Sequence, residues 1–429
     1  MKRRQLLCFL GVSVSYGVFA AFNNFTLTLW LSGFTSSYLL LGLMGNTRSF
    51  EGTLVAPVVG TWSDRTWLGR LGRRRPFILG GGLTSAVLLA LTPFIAAWHA
   101  PAPFSWLLLG QHGLLPAVAA IFIFTLTFNA MADVHDALMV DISTPAERNR
   151  LAAIRIVVSM TAQVGILVVG FVLWHDSVPA WAFVFVAVVV AAGTLVTAAG
   201  VREEKIRSSE SLAANQPKGL GLRASLEQIL RHNRPAALFC LVVFAYWTGV
   251  NAVLPLISIY SRDILHASIG LSQLLPALLL LATTLCAFPA AKLGDRYGRK
   301  RVIGAGYGIV AVAGVLALVI TNVQEGALVF LLAGLGNAAG QVLTVPLMAG
   351  LVLDHEIGAA TGILAAAGSL AAPLASLAGG GLADLFGPRA IFGMMAVTVT
   401  IAIVVLRLVP DSAAADDAST LIAAIAVPA

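Results

Sequence analysis

Charge is what this sequence has least of. Asp, Glu, Lys and Arg make up 11% of its 429 residues, against about 25% in an ordinary soluble domain. So few charges cannot cover a water-exposed surface of this size, which excludes a string of two or three soluble domains. Cysteine is nearly absent: Cys8, Cys240 and Cys286 lie in apolar runs at no metal-like spacing. That excludes a disulfide framework and leaves ordinary packing. Of the 7 histidines, His99, His112, His175, His232 and His266 sit in or near loops without ligand spacing, so no metal is expected. No G-x-x-x-x-G-K-[ST] occurs, so nothing suggests ATP as an energy source. Nor is there a nucleophile–base or metal constellation. An enzyme is therefore the least expected class, and no cofactor is expected.

Long apolar runs are abundant. Hydrophobic residues make up 58% of the chain and the mean hydropathy is +0.89. A membrane-crossing helix needs roughly 20 apolar residues. Such runs fall at about 5–31, 37–62, 76–98, 114–140, 150–174, 179–200, 235–260, 268–293, 302–321, 326–352, 357–383 and 389–409. The first, behind Lys2-Arg3-Arg4, continues to about Leu31, longer than a signal-peptide core, and reads as an uncleaved span. All but four of the 27 Lys and Arg lie at the N-terminus, in alternate loops or at the span ends facing them. Arg262 and Arg389 fall in the other loops, and Arg48 and Arg155 within spans. The positive-inside rule then puts both termini in the cytoplasm. This placement, not nucleic-acid binding, accounts for the net charge of +7. Trp30, Trp98, Trp106, Trp174 and Trp181 are expected at the outer boundary, Trp62 and Trp67 at the inner one, as an aromatic belt. Trp247 falls well inside span seven.

Four units follow: a six-helix bundle at 1–200, a cytoplasmic linker at 201–234, a second six-helix bundle at 235–409, and a disordered tail at 410–429. The linker holds seven Lys or Arg and four Glu, and Leu222–Asn233 suggests an amphipathic surface helix. One motif occurs in both bundles. After span two comes Gly60-Thr-Trp-Ser63-Asp64-Arg65, then Gly72-Arg73-Arg74-Arg75; after span eight, Gly294-Asp295-Arg296-Tyr297-Gly298-Arg299-Lys300-Arg301. Two copies at equivalent loops indicate a parallel repeat of two halves. The aspartates can accept hydrogen bonds from a neighbouring helix N-terminus, and the arginines can pair with acids at cytoplasmic helix ends, forming a gating latch. The plainer reading is that these basic residues only set orientation.

The duplicated loop resembles the signature of the major facilitator superfamily. The resemblance implies an all-α membrane protein of twelve transmembrane helices in two six-helix pseudo-repeats. The first copy, Ser63-Asp64-Arg65 followed by Gly72-Arg73-Arg74-Arg75-Pro76-Phe77-Ile78, looks like the loop of the sucrose transporters and their bacterial relatives. That group is related to the glycoside–pentoside–hexuronide:cation symporters. Ala137-Leu138-Met139-Val140-Asp141 is similar to the same group. Two departures stand out: a longer stretch between Asp64 and Gly72, and His135-Asp136 where those relatives carry other residues.

Ionisable groups inside a span are costly and by default mark an ion or substrate path. Span two carries Arg48 and Glu51, the latter roughly 16 Å from Trp62 at ~1.5 Å per residue. Span four places Asn129, Asp133 and Asp136 on one helical stripe. Arg155 in span five could face Asp136. These groups could also neutralise one another, Arg48 with Glu51 at i,i+3 and Asp136 with Arg155 between helices. The resemblance implies a cation site formed by carboxylates of spans two and four, here Glu51 and Asp133. His135, two residues after Asp133, points to another face and is not expected to share its site. Asp354-His355-Glu356 reads as a solvated partner for loop arginines. A substrate site is expected between the halves near the midplane, with Asn23, Asn24, Asn46, Asn129, Tyr246, Trp247, Asn251, Asn337 and Gln341 as candidates. Each of these could instead bridge helices.

The expected protein is a monomeric secondary transporter in a bacterial-type inner membrane. It would couple a proton, or alternatively sodium, to import of a neutral sugar or glycoside such as a disaccharide. Its expected partners are that solute and the bilayer. Export of a drug-like compound is the alternative within transport; span five has Gly165 and Gly170 but no Gly-Pro. A non-transporting sensor or assembly factor is the alternative outside it.

Overall fold

The computed structural model describes residues 3–98, 114–201, 203, 233–352 and 357–410. Most of the linker, including Leu222–His232, lies outside these residues. So do the tail after Pro410, Trp106, His99, His112, His232, Asp354, His355 and Glu356. The side chains of Arg48, Glu51, Asp64 and Arg148 are likewise outside them, although their backbone is helical.

Twelve long helical segments follow one another among the described residues. α1 runs through Arg3–Ala21, a π-helical stretch Phe22–Thr26, and Leu27–Leu31. Then come α2 (Tyr38–Arg65), α3 (Arg75–Ala96), α4 (Leu114–Ile142), α5 (Pro145–Leu173) and α6 (Ala180–Gly200). α7 comprises Arg234–Val253, a 3-10 turn Leu254–Leu256 and Ile257–Asp263. α8 (Ile269–Tyr297), α9 (Arg299–Ala317), α10 (Val323–Ala349), α11 (Ile357–Phe386) and α12 (Ala390–Leu408) complete the fold. With no water in a bilayer core, a backbone that satisfies its own hydrogen bonds is required, and the helix does so locally. Polar side chains mark several helix starts: Ser37, Asn233, Ser268 and Asn322 each accept from an N–H in the first turn of α2, α7, α8 and α10. Among the described residues, eleven helices are long and apolar enough to cross a membrane. The twelfth, α2, has 28 residues, but Asn46, Arg48 and Glu51 lower its apolarity.

The pairing of helices repeats between the halves. α1 packs on α5 and α6, α3 on α4 and α6, and α2 on α4; α7 packs on α11 and α12, α9 on α10 and α12, and α8 on α10. Each pair in one half thus has its counterpart in the other, as the duplicated loop predicts. Across the halves α2 meets α11 and α5 meets α8, again a symmetric set. Even the irregularities match: α1 and α7 are both broken in their last third. Small residues bring helices close. A β-carbon on Gly17 of α1 would stand 2.1 Å from the Ser159 carbonyl oxygen of α5.

The aromatic belt departs from expectation at one place. Trp98, Trp181, Trp62 and Trp67 are exposed, but Trp174 is 1% exposed. It packs edge-on against Phe22 and Trp181. Its neighbour Gly170 has no side chain, which leaves room for the indole to fold back onto the bundle.

Candidate functional site: a cavity between the halves

The two ends of the bundle differ. At the end away from the termini the halves are tied by polar contacts. Asp384 of α11 accepts from the N–H groups of Tyr38 (2.6 Å) and Leu39 (3.2 Å) and from the Ser37 hydroxyl (3.1 Å). A carboxylate from one half thereby caps a helix N-terminus of the other, where backbone donors and the helix dipole favour negative charge. The Tyr38 hydroxyl donates to Asp263 at 3.2 Å, and Arg262 donates to Ser32 at 2.6 Å. Deeper in, Asn46 donates to the Asn251 carbonyl and to Ser376, both at 2.8 Å. Thr26, in the π-helical stretch, donates to Gln273 of α8 at 3.0 Å.

On the termini side of this closure lies a cavity of about 260 Å³. Its wall comes from α1 (Ser13, Tyr16, Ala20), α4 (Ala132, His135, Asp136), α5 (Arg155, Ile156, Ser159, Met160, Gln163) and, across the interface, Gln341 of α10. Asp136 and Arg155 form an ion pair on this wall, with side chains 48% and 25% exposed. Their meeting, one of two readings open from the sequence, is made between α4 and α5. His135 joins them. Its ring stacks on Phe9 at 4.2 Å, Nε2 donates to the Phe9 carbonyl at 3.0 Å, and Nδ1 stands 4.0 Å from Asp136. A carbonyl only accepts, so this bond fixes Nε2 as the protonated nitrogen.

The other candidates separate into groups. Gln341 lines the cavity. Asn46 and Asn251 belong to the closure, both buried. Asn23 is fully buried and donates to the Gly45 carbonyl at 3.3 Å, bridging α1 and α2. The Asn24 carbonyl accepts from Thr28, and Asn129 is 4% exposed on α4. In the second half, Tyr246 stacks on Tyr307 at 4.0 Å and donates to Asn337 at 2.5 Å, and Asn337 donates to Thr283 at 3.3 Å. Trp247 is partly buried, edge-on to Tyr246 at 5.7 Å. Of the candidates in this paragraph, Gln341 alone is on the cavity wall.

Ser13, Ser159 and Gln163 were not among the sequence candidates. The hydroxyls of Ser13 and Ser159 and Nε of Arg155 are buried without a hydrogen-bond partner. One signal was available: Arg155, Ser159 and Gln163 recur every fourth residue in an apolar span, which places them on one stripe.

The duplicated loops are built alike. Gly72, with φ +78°, turns the chain before α3. Glu203 accepts from the N–H groups of Arg73, Arg74 and Arg75 at 2.8, 3.1 and 3.0 Å. Arg73 and Arg74 both grip Asp141 of α4, at 2.6 and 3.1 Å. In the second copy Gly298, φ +92°, ends α8, Arg299 donates to the Pro346 carbonyl of α10 at 2.8 Å, and Lys300 reaches the Arg407 carbonyl of α12. Arg296 lies over the Tyr297 ring, while Arg65 and Asp295 are exposed. The Arg73 and Arg74 pairs with Asp141 and the Arg299 and Lys300 bonds each lie within one half.

Comparison with known proteins agrees with this architecture. Residues 239–425 match the family described as Major Facilitator Superfamily, and residues 40–215 the family described as Sugar (and other) transporter. Each half of the chain thus matches a transporter family model of its own. Among solved structures, the nucleoside transporter NupG has a TM-score of 0.70 at 12% identity, covering 95% of this chain and 100% of that one. A D-xylose-proton symporter has a TM-score of 0.69 at 15% identity, over 95% and 98% of the two chains. A bacterial homologue of the iron transporter ferroportin, in an inward-facing state, has a TM-score of 0.70 at 14% identity, over 94% and 98%. At such identities these likenesses establish the fold alone. No curated protein matches the chain. The cavity lies where the two halves of this fold face each other, with Gln341 the lining residue from the second half.

Proposed function

We propose that this transporter moves a small polyhydroxylated solute, of sugar class, by alternating access coupled to a proton. The carrying observation is the cavity between the halves, with the Asp136–Arg155 pair on its wall and the far end sealed. Placing the basic, termini-bearing end in the cytoplasm by the positive-inside rule makes the present state inward-open. Hydroxyl-bearing solutes suit a wall of Ser13, Tyr16, Ser159, Gln163 and Gln341, which offers donors and acceptors without net charge. The match to sugar transporters and the likeness to a xylose–proton symporter support this class.

Asp136 is accessible from the cavity, so a proton can reach it there. Protonation removes the carboxylate charge and releases the Arg155 guanidinium, leaving an unpaired cation in a low-dielectric wall. That is costly until solute hydroxyls or carboxylate return satisfy it. Proton and solute binding are thereby linked, and the halves rock only when the pair's charges are balanced. Sodium in place of the proton uses the same carboxylate. Glu51 and Asp133 remain proposed helpers from α2 and α4.

Liposomes with a pH dye outside and a panel of mono- and disaccharides test the reading. External alkalinisation with one sugar, abolished in Asp136→Asn, is expected. Sugar uptake that is unaffected by Asp136→Asn against a gradient would remove Asp136 as the coupling group. Silence with every sugar and both cations would remove the sugar class.

A further inference from the structure

The closure at the far end contains a hydrogen bond that the backbone itself prepares. In an α-helix the carbonyl of Asn251 would accept from the N–H of residue 255. That residue is Pro255, which has no N–H. α7 accordingly gives way to a 3-10 turn at Leu254–Leu256. The carbonyl so released is taken by the side-chain amide of Asn46, from α2 of the other half, at 2.8 Å. The second amide hydrogen goes to Ser376 of α11, also at 2.8 Å. The single Ser376 hydroxyl proton has two acceptors in reach, the Gly42 carbonyl of α2 at 3.1 Å and the Ala372 carbonyl of its own helix at 3.0 Å. Asn46, Asn251 and Ser376 are 5%, 6% and 1% exposed. The approach is close, since a β-carbon on Gly45 would stand 2.3 Å from Pro255 Cβ.

We propose that Asn46 is a clasp that selects the far-closed state, and that Pro255 creates its partner. Hydrogen bonds inside a half, such as Asn23 to Gly45, can persist in every state. The Asn46 bonds span the halves, so they exist only while this end is shut. In a dry site an unpaired amide or carbonyl is expensive. Parting the halves must therefore admit water to three polar groups together, which makes closure all-or-none. The clasp operates whatever the solute, and it goes beyond the coupling reading above.

Distances between spin labels at Gly33→Cys and Phe386→Cys, both exposed far-end positions in opposite halves, report the opening. The three native cysteines are replaced, and the full chain is measured in lipid nanodiscs. Asn46→Ala is expected to raise the population of long distances by roughly two- to tenfold for each hydrogen bond lost. Pro255→Ala restores an N–H that competes for the Asn251 carbonyl, and is expected to shift the population the same way with Asn46 intact. Asn23→Ala is expected to leave the distribution unchanged. An unchanged distribution in Asn46→Ala overturns the clasp. A shift in Asn46→Ala with none in Pro255→Ala overturns the role of the released carbonyl and leaves the Ser376 bond alone in charge. If Asn46→Ala does not fold, Pro255→Ala and Ser376→Ala carry the same test.

Discussion

The Glu203 carboxylate stands 2.7 Å from where a β-carbon on Gly72 would be. Its oxygens gather the N–H groups of Arg73, Arg74 and Arg75, so it caps α3 from the far side of the bundle sequence. Two requirements thus converge on Gly72: a φ of +78° and room for the carboxylate. Gly72→Ala is expected to destabilise the protein by about 1–3 kcal/mol. Glu203→Ala should relieve the contact but not the backbone strain. Thermal unfolding of the two single variants and the double variant checks this, with a non-additive double as the expected outcome.

The ion pair on the cavity wall makes a second expectation. Removing one partner strands a charge; removing both does not. Asp136→Asn and Arg155→Gln are each expected to cost about 1–2 kcal/mol, the buried-pair figure discounted for the exposure of both groups. The double variant should recover most of that stability and still lack proton coupling. Thermal melts alongside proton flux separate the two effects. Equal instability in all three variants would contradict a paired arrangement.

Ser13 and Ser159 carry buried hydroxyls without partners. Such groups cost free energy in the solute-free protein. Ser13→Ala is therefore expected to raise stability by about 1 kcal/mol while raising the KM for the transported solute roughly tenfold. Melting temperature and uptake kinetics measure both. A stabilised variant with unchanged KM would place the hydroxyl outside the solute's reach.

Asp384 is exposed, so its capping of α2 across the halves is screened by salt. Asp384→Asn is expected to open the far end at low ionic strength, with an effect of about 0.3–1 kcal/mol that shrinks at 1 M salt. Labelling of Thr28→Cys, buried at this end, by an impermeant maleimide reads it out.

Much of this molecule was written along the chain. Helix number and approximate ends followed from apolar length, because a bilayer demands both. The repeat followed from the duplicated loop, and the helix pairs obey it. The same local logic failed at Trp174: a tryptophan at a span end belongs at the interface on average, but Gly170 and Phe22 offered this one a slot. It was also blind to Glu203, whose capping role depends on the end of α6 lying beside the start of α3.

The sequence by itself determined the solvent, the number of spans, the repeat and which spans carry charge, since each depends on residues close together in the chain. Only the tertiary structure decided which polar groups meet. Whether Asp136 faces Arg155, whether Asn46 serves the solute or the seal, and whether Ser159 lines a cavity depend on each helix's rotation and depth. Those are set by packing against other helices, near in the chain for Asp136 and Arg155 and far from it for Asn46 and Asn251. In an apolar span the hydrophobic pattern is nearly uniform around the helix, so it carries little record of that rotation.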